Sequence, residues 1–126
     1  MISVAQAEQI HNVLIEKFGG LRGIRDLPGL ESALARPYVT FDQHELYPDA
    51  VDKAAAVFES LVINHPFMDG NKRISYVLMR LVLLENGFDI AASQDEKYEM
   101  VIAASKGEIH FDEIKKWIGS KMLKID

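Results

Sequence analysis

The most informative absence in this 126-residue sequence is cysteine, of which it has none. Without thiols the chain can form neither disulfides nor thiolate metal sites, and a cysteine nucleophile is excluded. Long apolar runs are missing too, because Arg80 interrupts the best candidate before it reaches the roughly 18 residues of a membrane helix. The first residues lack the basic start and apolar core of a secretory signal. We therefore expect a cytoplasmic protein with no membrane partner.

A basic surface is also lacking. The net charge is −5, and the 14 lysine and arginine residues are scattered along the chain instead of forming a stripe. A nucleic-acid partner is therefore not expected, since such a partner requires a concentrated positive surface. The length suits one domain over residues 1–126, and 48% hydrophobic residues are enough for a sizeable core.

Apolar residues recur at helical spacing in six segments, which glycine, proline or capping patterns separate. Two segments begin with a capping-box pattern, at Ser3 with Gln6 and at Ser93 with Glu96. The segment from about 71 to 86 is apolar on nearly every side, which is typical of a helix surrounded by other helices. The sequence therefore predicts an all-α, single-domain bundle of about six helices around a central helix at residues 71–86.

One stretch departs from the helical pattern. Between residues 37 and 47 the sequence reads P-Y-V-T-F-D-Q-H-E-L-Y, where β-branched and aromatic residues cluster. Residues of these types favour extended backbone. We predict a short extended flap near residues 38–47.

Polar chemistry is concentrated directly before the central helix, in N-H-P-F-M-D-G-N-K-R-I, residues 64 to 74. A helix N-terminus presents backbone N–H groups without partners and a partial positive charge. Gly70, Asn71 and Lys72 would supply such N–H groups, and the cations Lys72 and Arg73 add full charges that suit phosphate oxygens. This arrangement predicts a phosphate-binding site.

Two further residues of this stretch extend the site to catalysis. A single carboxylate beside bound phosphates can hold Mg²⁺, which makes Asp69 the candidate metal ligand. His65 can take a proton from an incoming hydroxyl, while Phe67 would anchor the loop inward. Phosphoryl-type transfer from a magnesium nucleotide needs these parts. A purely structural use of the same residues, as helix caps and solvated cations, stays open, whereas an EF-hand is excluded because oxygen ligands are missing at two positions.

The nine residues H-P-F-M-D-G-N-K-R resemble the signature of the Fic/Doc superfamily, H-x-F-x-[D/E]-G-N-G-R-x-x-R in its Fic members. Upstream, G-G-L-R-G-I-R-D and L-E-S-A-L-A-R-P are similar to the death-on-curing (Doc) branch, so that the resemblance covers essentially the whole chain. It implies a helical toxin of a toxin–antitoxin module that uses ATP and Mg²⁺. The implied roles are catalytic base for His65, loop anchor for Phe67, Mg²⁺ ligand for Asp69, and phosphate binding for Gly70, Asn71 and Arg73. Lys72 joins the phosphate-binding residues because of its charge at the helix start.

Two departures from the Fic signature bear on the reaction. Lys72 stands where Fic enzymes have glycine, and Tyr76 stands where they have a second arginine. The Doc branch carries the same lysine, and the resemblance implies transfer of the γ-phosphate to a threonine or serine of a target such as elongation factor Tu, which halts translation. The alternatives are a Fic-type AMP transferase and an inactive module that binds a nucleotide or a partner.

Regulation is expected from a second protein. Self-inhibited Fic proteins carry an [S/T]-x-x-x-E-[G/N] helix, and no serine or threonine of this chain begins such a pattern. We therefore expect a Phd-like antitoxin that places a helix in a groove of the bundle. Outside the motif, Arg80 is predicted either to reach the site or to pair with a buried acid, of which the second is favoured, and His11 is expected to be a surface histidine.

Overall fold

The fold is a bundle of six α-helices, described here by a computed structural model over residues 1–125. The helices are α1 (Val4–Phe18), α2 (Leu27–Ala35), α3 (Ala50–Asn64), α4 (Asn71–Glu85), α5 (Gln94–Ser105) and α6 (Phe111–Lys121). The prediction of an all-α bundle of about six helices is confirmed. Across these 125 residues, each helix is too short or too polar to cross a bilayer.

Local capping explains where two of the helices begin. In α1 the Ser3 hydroxyl accepts the Gln6 N–H at 3.1 Å, and the Gln6 side chain accepts the Ser3 N–H at 2.9 Å. Ser93 and Glu96 make the same reciprocal pair at the start of α5, with distances of 3.1 and 2.9 Å. Each pair satisfies two backbone N–H groups that a helix start leaves without partners. Both predicted capping boxes are therefore present.

Two antiparallel helices, α3 and α4, form the centre of the bundle. α3 packs against α2, α4, α5 and α6, and ten of its 15 residues are buried. The run Ala54–Ala56 in α3 is fully buried. Because alanine side chains are small, the helices around α3 can pack close to its backbone. The predicted central helix, α4, therefore shares the centre with α3. One side of α4 is open, because Val77 and Leu81 are only half-buried and Leu84 is 36% exposed.

The flap predicted near residues 38–47 is a short β-hairpin. β1 (Thr40–Phe41) and β2 (His44–Glu45) pair antiparallel after a 3₁₀ turn at Arg36–Tyr38. The two turn residues, Asp42 and Gln43, have φ values of +51° and +66°, as a tight hairpin turn requires.

A second two-stranded sheet was not predicted. β3 (Phe88–Ile90) pairs antiparallel with β4 (Met122–Lys124), so that the chain after α6 returns to the end of α4. Each strand has three residues, which is too short for an alternating pattern to show. Their partners lie more than thirty positions apart in sequence. This sheet closes the far end of the bundle and lies away from the polar motif.

Candidate active site

The loop between α3 and α4, residues 65–70, carries the polar motif and is called the motif loop below. α3 ends at Asn64, and the residue that caps it, His65, has a left-handed backbone with φ +48° and ψ +55°. Such a conformation costs roughly 1 kcal/mol for a residue other than glycine, so neighbouring contacts have to hold it. The Arg25 guanidinium does so by donating from Nε to the His65 carbonyl at 3.0 Å and from Nη2 to the Asn64 carbonyl at 3.0 Å.

The backbone of the motif loop pairs with the connection between α1 and α2. The Met68 N–H donates to the Gly23 carbonyl at 2.9 Å. The Pro66 carbonyl accepts the N–H groups of Arg25 and Asp26 at 2.8 and 3.0 Å. The sequence of this connection, G-G-L-R-G-I-R-D, is similar to the Doc branch but gives no local sign of the pairing. The pairing was not visible there because it joins segments about forty residues apart.

Phe67 and Asn71 fasten the middle of the motif loop. Phe67 is fully buried in the core. The Asn71 side chain accepts the Phe67 N–H at 2.9 Å and donates to the Phe67 carbonyl at 3.0 Å. Both polar atoms of the amide are therefore engaged within the protein. The Asn71 side chain is therefore not available to phosphate, and the backbone N–H of this residue is the group that can still bind it.

His11 of α1 lies beneath the motif loop, so the expectation of a surface histidine is wrong. The side chain is buried, because His11 falls on the inward face of α1 four residues from both Ala7 and Ile15. Its ring stacks on Phe67, with centroids 4.0 Å apart and planes 10° from parallel. Its Nε2–H donates to the Asp69 carbonyl at 2.7 Å. The four-residue spacing was the signal that could have placed this histidine inside.

The carboxylate of Asp69 is held by two backbone N–H groups. Oδ1 accepts the Gly70 N–H at 2.9 Å, and Oδ2 accepts the Leu21 N–H at 3.2 Å. Each oxygen keeps a free lone pair, and the residue is exposed. Residues 1–125 contain no cluster of three side chains that could hold a metal. Mg²⁺ fits this site on the condition that water and a nucleotide supply most of its ligands.

The start of α4 presents backbone N–H groups for phosphate, although the predicted Gly70 N–H is not among them because it donates to Asp69 Oδ1. Gly70 has φ +71°, and the first helical hydrogen bond runs from the Ile74 N–H to the Gly70 carbonyl at 3.0 Å. The N–H groups of Asn71, Lys72 and Arg73 precede that bond and point along the helix axis toward the loop.

The Arg73 guanidinium contacts Phe18, the last residue of α1. It lies 4.2 Å from the centre of the Phe18 ring, and this cation–π contact holds the charge at the mouth of the pocket. Lys72 beside it is exposed.

The His65 imidazole has one ring nitrogen engaged. Nε2 lies 2.9 Å from the Val62 carbonyl, which can only accept, so Nε2 carries the proton. Nδ1 then has the free lone pair and can take a proton. A pocket of about 310 Å³ brings the predicted polar residues together; its lining is His65, Met68, Asp69, Gly70, Asn71, Lys72 and Arg73.

A larger groove of about 920 Å³ continues from this pocket between α1, α4 and α5, sharing Lys72 and Arg73 with it. Arg80 lines the groove and forms a two-pronged pair with Asp89 at 2.7 and 2.9 Å. The predicted acidic partner is therefore present, but it is half-buried instead of buried. The hydrogen bonds from Arg80 lower the pKa of Asp89 to about 2. Burial raises the pKa of Tyr76 to about 12, so its hydroxyl stays neutral and cannot substitute for an arginine.

Comparison with known proteins identifies a family. The model of the Fic/DOC family matches residues 1–83. Toxin Doc of Mycolicibacterium smegmatis is 42% identical over 78 residues, which are 62% of this chain and 60% of that protein. Protein kinase doc of Escherichia phage P1 is 29% identical over 108 residues, 86% of this chain and 84% of the phage protein. Protein adenylyltransferase fic-1 of Caenorhabditis elegans is 38% identical over 47 residues, but the match spans 9% of its length.

Proposed function

Because the chain belongs to the Fic/DOC family, we propose that it is a Doc-type toxin that transfers the γ-phosphate of ATP to a threonine or serine hydroxyl of a target protein. One observation carries this proposal. A histidine with a free Nδ1, an exposed carboxylate and the N-terminus of α4 line a single pocket of about 310 Å³. Base, metal ligand and phosphate-binding groups are the parts that phosphoryl transfer requires.

His65 acts as the catalytic base. The acceptor hydroxyl gives its proton to Nδ1 while its oxygen forms a bond to the γ-phosphorus. The bond between that phosphorus and the oxygen bridging to the β-phosphate breaks, and ADP leaves with the electron pair. The hydrogen bond from Nε2 to the Val62 carbonyl fixes the tautomer and stabilises the imidazolium that forms.

The remaining residues bind and orient the nucleotide. The backbone N–H groups of Asn71, Lys72 and Arg73 bind phosphate oxygens, and the two cations offset their charge. Asp69 would hold Mg²⁺, which neutralises charge that develops on the phosphate oxygens during transfer. Gly70 has no side chain, so that the phosphates can approach the backbone at this point.

Lys72 favours γ-phosphate transfer over AMP transfer. Its side chain lines the pocket where Fic enzymes have glycine, and it narrows the space for a nucleotide bound in the Fic orientation. Tyr76, neutral and half-buried, supplies no charge in place of the second Fic arginine. The relative named as a protein kinase supports this choice, while the relatives named as adenylyltransferases support AMP transfer as the second candidate.

A Phd-like antitoxin is the proposed partner, and elongation factor Tu the proposed target. The groove beside the pocket suits a helix, because its walls are largely apolar and include Ile10, Leu14, Val77 and Leu81. A helix lying there would also reach Lys72 and Arg73, which belong to the phosphate pocket. Occupation of the groove would therefore interfere with nucleotide binding.

A paired labelling assay tests the reaction. The purified protein is given Mg²⁺, an extract with translation factors, and ATP labelled at either the γ or the α position, with His65→Ala as the control. We expect protein-bound label from γ-labelled ATP alone, and none with the variant. Label from α-labelled ATP would establish AMP transfer instead. Absence of label in both, with elongation factor Tu added in purified form, would support the inactive binding module.

A further inference from the structure

We propose that His11 is a positioning residue for the candidate metal ligand Asp69, acting through the backbone of the motif loop. The part of this inference that concerns Mg²⁺ rests on the proposed function, whereas the part that concerns loop position does not. His11 belongs to α1 and lies 58 residues before Asp69 in the chain. It is therefore a contribution to the site from outside the sequence motif.

The contacts of His11 are directed at the motif loop. Its Nε2–H donates to the carbonyl of Asp69 at 2.7 Å, and its ring stacks on Phe67 at 4.0 Å. A methyl group added at Gly70 would come 3.7 Å from Nε2, so the ring also packs against the start of α4. Three residues of the loop, at positions 67, 69 and 70, therefore lie against this one side chain.

The hydrogen bond from His11 fixes the peptide between Asp69 and Gly70, and the N–H of that peptide holds the carboxylate of Asp69. When the peptide oxygen points down to His11, the side chain is left on the outer side of the loop, where Leu21 and Gly70 donate to its two oxygens. Rotation of this peptide would turn the Gly70 N–H away from Oδ1, so that the carboxylate would lose one of these two partners. Groups that hydrogen-bond to a metal ligand without touching the metal hold that ligand in the orientation that metal binding requires.

A packing role alone does not explain a histidine at this position. Nδ1 of His11 is buried and has no hydrogen-bond partner among residues 1–125. Burying an unpaired polar atom is unfavourable, and an apolar side chain of similar size would avoid that cost. The donor at Nε2 is the feature that such a side chain could not supply. The Asp69 carbonyl is its acceptor.

Two groups of variants separate the donor from the packing. His11→Phe and His11→Leu keep an apolar group in the core and remove the donor. His11→Gln removes the ring but retains a donor, because the amide nitrogen of glutamine lies the same number of bonds from Cβ as Nε2 does. Ile118→Val, in a fully buried position of α6 away from the loop, is the control for a general loss of stability.

The first measurement is amide hydrogen exchange without nucleotide, followed at Leu21 and Gly70. We expect exchange at both amides to be roughly tenfold faster in His11→Phe and His11→Leu, and close to wild type in His11→Gln and Ile118→Val. If one donor-less variant does not fold, the other is compared with His11→Gln. Equal exchange in the donor-less and glutamine variants would overturn the proposal, because the donor would then have no effect on the loop.

The second measurement is the magnesium dependence of transfer. Loss of the donor should raise the magnesium concentration for half-maximal rate on the order of tenfold, while kcat at saturating magnesium is largely retained. A fall in kcat alone would contradict the proposed link to the metal ligand. If the wild-type protein transfers nothing, the proposed function fails by itself, and the exchange result still decides whether His11 positions the loop.

Discussion

The motif loop and the flap use the same unusual backbone conformation but are held in different ways. His65 in the motif loop and Asp42 and Gln43 in the flap all have positive φ. In the flap the turn conformation is stabilised locally, by the pairing of β1 with β2 on either side of it. In the motif loop the conformation depends on distant partners, since Arg25 binds the carbonyl of His65.

This difference suits two different tasks. The motif loop has nearly every backbone polar group paired and its phenylalanine fully buried, so that it presents a fixed arrangement to a small substrate. The flap leaves its side chains in solvent, with Phe41 75% exposed. A hairpin with an exposed apolar residue and a free edge suits contact with a protein of variable shape. Rigidity is therefore concentrated where chemistry is proposed.

The largest effect is expected from His65→Ala. This variant keeps the pocket and removes the base, so transfer of labelled γ-phosphate should fall on the order of 10²- to 10⁴-fold. Nucleotide affinity, measured by calorimetry, should change little because His65 does not belong to the phosphate-binding groups. A rate within a few-fold of wild type would show that the motif loop is not the catalytic part of the molecule.

Asn71→Ala should break the rigidity of the motif loop. It leaves the N–H and the carbonyl of buried Phe67 without partners, which costs about 2 to 4 kcal/mol of unfolding free energy. Urea denaturation measures this loss. The matched control is Asn86→Ala at the other end of α4, where the amide donates only to the Val82 carbonyl. Equal losses in the two variants would mean that Asn71 is an ordinary helix-end asparagine.

Gly20→Ala should displace the carboxylate of Asp69 by steric contact. An added Cβ would lie 2.7 Å from Asp69 Oδ2, and φ at Gly20 is +117°. Gly19→Ala is the matched control, because φ there is +87° but nothing lies within 4 Å. Both variants should lose about 1 kcal/mol to backbone strain. The magnesium requirement for transfer should rise in Gly20→Ala alone; a parallel rise in Gly19→Ala would refute a direct contact with Asp69.

Lys53→Met tests the attachment of the flap. Lys53 Nζ donates to Glu45 at 3.0 Å and to the carbonyl of Tyr47, and it is the buried cation beneath the hairpin. Methionine keeps the apolar stem, so the loss of stability should be about 1 kcal/mol. Proteolysis within residues 40–47 should accelerate, while exchange at the motif-loop amides stays unchanged. Accelerated exchange in both regions would show that the two loops are coupled.

The smallest effect on stability is expected from Phe41→Ser. The side chain is largely in solvent, so the unfolding free energy should change by no more than about 0.5 kcal/mol. Transfer to a protein target should nevertheless decrease if the flap contacts that target. Autophosphorylation or ATP hydrolysis, measured without a target, provides the control. Loss of these basal activities as well would place Phe41 in the site itself, contrary to the separation of the two regions.

The sequence by itself determined the helices and the members of the candidate pocket. Capping boxes, glycine stops and apolar spacing are local signals, and the structure has the two capping boxes where those signals placed them. The residues of H-P-F-M-D-G-N-K-R are neighbours in the chain, so a loop leading into a helix keeps them near one another, whereas their exact arrangement depends on distant contacts. This is why the pocket residues could be named from the sequence.

Only the tertiary structure decided what holds the loop. His11, Leu21, Gly23 and Arg25 reach it from α1 and the connection that follows, 40 to 58 residues away along the chain. The helical spacing of His11 indicates a buried side chain, but nothing in the local sequence indicates that its partner is the motif loop, and Leu21 and Gly23 contribute only backbone groups. The same holds for the sheet of β3 and β4, whose pairing depends on how α5 and α6 fold back. Long-range packing sets these partners, and packing follows from the whole chain.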